Sequence, residues 1–173
     1  MFKKIATITL ASLLLVSCAK KPTQPVSSPI ASETGYSTEQ SAAVAALDNA
    51  VKVSTVVEEA GGIYTKNNKY FYTSPASNQL ESSFDVKIEF PPKTTLVALY
   101  HTHPLSKLNM YVSPEDVHVA NTMKLDSFIG IIRIYNPRII EFIPGKSSTF
   151  PLLTINPPNI VSKGQYVGKL TIN

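Results

Sequence analysis

The spacing of apolar residues along the chain predicts a short succession of elements. Over residues 37–57, Ala43, Leu47, Ala50, Val51, Ser54 and Val57 recur at three-to-four spacing, the period of one helix face. Ser37, with Gln40 three positions on, fits a capping box at its start. Gly61-Gly62 interrupts that period. Residues 63–66 and 69–73 then read as strands around Asn67-Asn68, a pair suited to a two-residue hairpin turn. Residues 86–90 alternate and stop at Pro91-Pro92. Residues 94–100 form an apolar run rich in β-formers, a central strand by this reading, which Pro104 closes. Ser113-Pro114-Glu115-Asp116 supplies an N-cap, a proline at the first helical position and acids in the first turn, and starts a helix reaching about Leu125. Residues 128–135 and 139–143 read as strands around Asn136-Pro137. After Pro144 prolines break the pattern, and one late strand is expected over residues 165–172. Helices and strands alternate only in part. The expectation is an α/β fold, a mixed β-sheet flanked by helices in a single domain over residues 37–173.

The first residues follow another logic. Lys3 and Lys4 precede twelve apolar or small residues, Ile5 to Val16, too few to span a bilayer as a helix. They end in Leu15-Val16-Ser17-Cys18. That sequence resembles the lipobox of bacterial lipoproteins, in which residues 1–17 are a signal peptide and the cysteine is acylated. Cys18 is accordingly read as a lipid attachment point, not as a nucleophile. Ala19 behind it, in a Gram-negative cell, implies the outer membrane facing the periplasm. Residues 18–36, with Pro22, Pro25 and Pro29 and several serines, read as an extended linker between lipid and domain.

Composition narrows the function classes. A chain of 173 residues, 43% hydrophobic and 16% charged, supports one sizeable core and is no disordered polyelectrolyte. A single cysteine excludes a disulfide framework and a cysteine-rich zinc module. The net charge of +4 falls to +2 without Lys3 and Lys4, and the rest carries no basic stripe, which argues against nucleic acid as partner.

The candidate chemistry lies at the end of the central strand. His101 and His103, two positions apart, face one side of a strand, as two imidazoles on one metal require. Asp116, in the first turn of the next helix, can complete a His₂-Asp set. Three protein ligands with a position left for water is the pattern of catalytic zinc. Asp126 follows the helix and is the poorer carboxylate for this set. His118 belongs to another helix face and is left out.

These residues resemble the motif of the JAMM metalloproteases, also called JAB or MPN domains. The family pattern is a glutamate, then His-x-His-Pro, then a short spacer and Ser-x-x-Asp. His101-Thr102-His103-Pro104 matches the first block and Ser113-Pro114-Glu115-Asp116 the second. Glu59-Ala60-Gly61-Gly62-Ile63-Tyr64 fits the context of the upstream glutamate, and residues 61–75 look like a bacterial branch of JAB-related domains. The likeness covers residues 38–145. The spacer, Pro104 to Val112, is nine residues, longer than in familiar members. The resemblance implies a cytidine-deaminase-like fold and zinc-dependent hydrolysis of a peptide or isopeptide bond. In it His101, His103 and Asp116 hold Zn²⁺, Glu59 is the base and Ser113 stabilises the oxyanion. Glu58 is the rival base. The implied substrate is a peptide, a peptidoglycan cross-link or an envelope protein. The competing expectation is an inactive binding or assembly lipoprotein on the same fold.

Overall fold

The computed structural model describes residues 25–30, 34–77, 86–105, 111–152 and 159–172. The expected signal peptide, Cys18 and the start of the linker lie outside the described residues. Among those described, no helix is long and apolar enough to cross a membrane.

The first helix, α1, runs over Glu39–Val53. Its N-cap is Thr38 and its capping partner Ser41, not Ser37 and Gln40 as expected; the Thr38 side chain accepts from the Ser41 N–H. Either hydroxyl can cap, and a shift of one residue lies within the precision of such reading. The helix also ends earlier than residue 57, because Ser54 takes an extended conformation at its C-cap. Six residues form its buried stripe: Ala42, Ala43, Ala46, Leu47, Ala50 and Val51.

The strands are β1 (Val26–Ser27), β2 (Ala60–Lys66), β3 (Lys69–Tyr72), β4 (Lys87–Ile88), β5 (Thr95–His103), β6 (Asp126–Ile131), β7 (Arg138–Phe142), β8 (Thr149–Leu152), β9 (Asn159–Ser162) and β10 (Gln165–Lys169). A second helix, α2, spans Pro114–Met123 between β5 and β6. Six strands form a mixed sheet in the order β10-β7-β6-β5-β2-β3. Only β5 and β6 run parallel within it, as a strand–helix–strand unit demands. The β2–β3 hairpin turns through Asn67 and Asn68, both at positive φ (52° and 59°), as their side chains tolerate.

Alternation along the strands sorts the core into two layers. Tyr100, Phe128, Ile132 and Ile139 pack with α1 on one face. Ile129, Ile131, Ile140 and Phe142 pack with Val117 and Ala120 of α2 on the other. The α/β class with a mixed sheet between helices is therefore as expected.

Three local expectations change. Gly61-Gly62 lies inside β2 rather than ahead of it. The stretch read as free linker is docked from residue 25: β1 pairs with β4, Ser27 is fully buried, and Tyr36 exchanges backbone hydrogen bonds with Tyr70. Prolines there suggested a tether, but they are compatible with a short edge strand. The region after Pro144 holds a second hairpin, β8–β9, besides the late strand. Pro151 lies within β8, which among the described residues pairs with β9 alone.

Candidate metal centre

Strand β5 carries the site at its carboxyl end. His101 and His103 are its last alternating pair, and they share a face with the isoleucines packed against α2. Backbone pairing fixes them: His101 lies beside Ala60 of β2 and Ile129 of β6, and His103 beside Ile131. His103 is buried, at 1% exposure.

Asp116 arrives from α2, held by that helix's own cap. The Ser113 hydroxyl accepts the Asp116 N–H at 3.2 Å, and the Ser113 N–H donates to Asp116 Oδ2 at 2.8 Å. This reciprocal box fixes the carboxylate rotamer before any ligand enters. The nine-residue spacer does not keep Asp116 from the histidines. Its ends are pinned, with the Leu105 N–H on the Thr55 carbonyl and Val112 bridged to Ser162 of β9.

Four side-chain atoms of three residues converge as a result. His101 Nε2 lies 3.1 Å from Asp116 Oδ1, and His103 Nε2 lies 3.3 Å from Asp116 Oδ2. The two Nε2 atoms are 3.2 Å apart. A tetrahedral ion with bonds of about 2.0–2.1 Å holds its ligands about 3.3 Å apart. Each imidazole meets a different oxygen of the Asp116 carboxylate at a separation close to that ligand–ligand edge, so the three residues could hold one ion between them. Two imidazoles and a carboxylate are a donor set that could hold a metal ion.

The electrostatics agree with that use. Burial pushes the Asp116 carboxyl up, but the charge and hydrogen bond of His101, followed by those of His103, outweigh it and hold the group well below the usual carboxylate range. Asp116 is an anion under all ordinary conditions, which a ligand must be.

Glu59 and Glu58 are both buried, at 4% exposure each. The Glu59 carbonyl accepts the Thr102 N–H at 2.9 Å, and its N–H donates to Thr102 Oγ1 at 3.0 Å. It thereby sits across from the residue between the two histidines. Burial pushes its carboxyl to about 7. β2 begins at Ala60, so the paired register itself places neither glutamate opposite a histidine, and Glu58 stays the neighbouring buried rival. His118 is exposed on α2, outside the cluster.

Asp126 is not part of this site. It pairs with Ala98, five positions before His103 on β5. It belongs to a separate group with Glu39 and Glu141, whose carboxylate oxygens lie within 4.8 Å of one another. Sequence reasoning missed this group, because three acids from a helix and two strands leave no spacing signature.

No family model, curated protein or solved structure matches the chain. The functional reading therefore rests on the site itself.

Proposed function

We propose that the protein is a lipid-anchored, zinc-dependent hydrolase that cleaves a peptide or isopeptide bond, with a JAMM-type domain at its centre. The observation that carries this reading is the convergence of His101 Nε2, His103 Nε2 and the two Asp116 carboxylate oxygens, at 3.1 Å to His101, 3.3 Å to His103 and 3.2 Å between the imidazoles, built from a strand end and the start of the next helix. The mixed sheet, with its parallel β5–α2–β6 unit at the site, supports the same assignment.

In this reading His101, His103 and Asp116 hold the ion. When bound, Zn²⁺ supplies Lewis acidity and brings the pKa of a coordinated water to about 7. Glu59 accepts the nucleophile's proton and returns it to the leaving amine. A carboxyl held near 7 suits both halves of that task at neutral pH. Glu58, equally buried beside it in the chain, is the rival for the same role, so the two must be separated by variants.

Ser113 stabilises the developing oxyanion. Its oxygen already accepts the Asp116 N–H, and this cap bond uses a lone pair rather than the hydroxyl proton. Helix capping and donation to substrate are therefore compatible in one residue.

The test is metal content and turnover of the purified protein. About one zinc per chain, none in His103→Ala, and chelator-sensitive cleavage of a peptide library support the reading. Well-folded protein that stays zinc-free after zinc is supplied sinks it and leaves a binding or assembly lipoprotein.

A further inference from the structure

A groove of about 370 Å³ lies beside the metal centre, lined among others by Leu105, Ile131, Arg133, Ile134, Tyr135 and Arg138. It adjoins the site by construction. Leu105 follows His103 by two residues, and the Ile132 N–H donates to the His103 carbonyl at 3.0 Å. Register defines the geometry further. His103 pairs with Ile131, Ile131 with Arg138, and Arg138 with Lys169. Laterally paired residues share a sheet face. The row His103–Ile131–Arg138–Lys169 therefore runs from the candidate metal ligand across an apolar floor to two cations. The rim of the groove carries Ile134 and Tyr135, at 78% and 98% exposure.

We infer that this groove is a substrate subsite for a peptide bearing a carboxylate near the bond to be cleaved, with Arg133 and Arg138 as the recognising groups. The inference rests on the hydrolase reading and adds the substrate's chemistry. A guanidinium suits a carboxylate because its planar fork can donate two parallel hydrogen bonds. The apolar floor and rim accept the aliphatic part of the same chain. Strand spacing sets a ruler: Arg138 is two strands from His103, or roughly 10 Å. An extended peptide advances about 3.3 Å per residue, so the carboxylate belongs about three residues from the scissile amide.

The test uses capped peptides in an alanine–glycine background with a single Asp scanned through every position, each beside its Asn twin. Binding to the full-length chain in detergent is read by fluorescence anisotropy with zinc removed. Cleavage is read on quenched versions with zinc present. At least tenfold tighter binding of one Asp peptide over its twin is expected. Arg133→Gln should lower that ratio, and Arg133→Glu should turn the preference toward a Lys-bearing peptide. The double variant R133Q/R138Q, checked for folding by circular dichroism, should bring the ratio to about one. Equal binding of all twins, no binding, or a preference that survives in the folded double variant overturns the inference. Cleavage without discrimination overturns the groove and leaves the hydrolase. Discrimination in binding with no cleavage of any peptide leaves the groove and overturns the hydrolase.

Discussion

At the scale of single residues, Ser113 concentrates the most consequence. Its hydroxyl caps α2, and the same box orients Asp116 toward both histidines. Replacing a capping serine by alanine costs about 1 kcal/mol, whereas glycine at a cap costs only a few tenths. Losing one oxyanion donor lowers kcat by about 10²–10³. Ser113→Gly should thus keep most of its thermal stability while losing that factor in turnover, and Ser113→Ala should lose both. Parallel thermal melts and kinetics separate the two. Glu59→Gln should retain about one zinc per chain and lose activity by about 10²–10⁴, the range of general-base catalysis. Full activity in that variant, with loss in Glu58→Gln, moves the base to Glu58. Much of this site was legible in sequence. Two histidines on alternating strand positions and an acid in a capped first turn are local patterns that survive folding. The arginines of the groove were not, since their distance from His103 exists only across three strands.

Among the elements, β2 shows why local reading failed in places. Gly61 and Gly62 interrupt a helical period and so read as a breaker. Their role is tertiary: a Cβ on Gly61 would lie 2.6 Å from Tyr100 Oη and 2.7 Å from Ser27 Oγ and Thr73 Oγ1. One on Gly62 would lie 2.6 Å from Leu96 Cδ1. The strand is bare there so that β1 and the Tyr100 hydroxyl, which donates to the Thr73 carbonyl, can close over it. Gly61→Ala should destabilise the fold by about 1–3 kcal/mol, as overpacking does. A lowered denaturation midpoint at unchanged m-value would show it. The helices, the β2–β3 turn and β5–β7 were read correctly to within a few residues, because capping residues and paired asparagines act over four residues or fewer. The β8–β9 hairpin was missed because its prolines, read alone, argue against strands.

Over the whole molecule, buried acids set the response to pH. Glu39 is pushed to about 7 by burial and then by the charges of Asp126 and Glu141. Glu59 is raised to about 7 by burial. Asp126 and Glu141 are raised too, both first by burial, with Lys146 opposing. Between their ordinary value of 4.5 and about 7, Glu39 and Glu59 hold more protons in the folded than in the unfolded chain. Their contribution to stability is full below 4.5 and is lost as pH rises through about 7. Asp116 acts in the opposite sense, but its loss comes only well below the carboxylate range. The metal-free protein should therefore melt at a higher temperature at pH 5 than at pH 8. Glu39→Gln should flatten that slope. A melting temperature that climbs steadily from pH 5 to pH 8 contradicts the assignment.

The docked segment from Pro25 to Ile30 has a spatial consequence for a chain held by a lipid on Cys18. Only Ala19 to Gln24 then separate the bilayer from the folded body. Six residues at full stretch reach about 20 Å. Under the proposed function, the folded body would be kept within that distance of the membrane surface, and insertion before Pro25 would widen its reach.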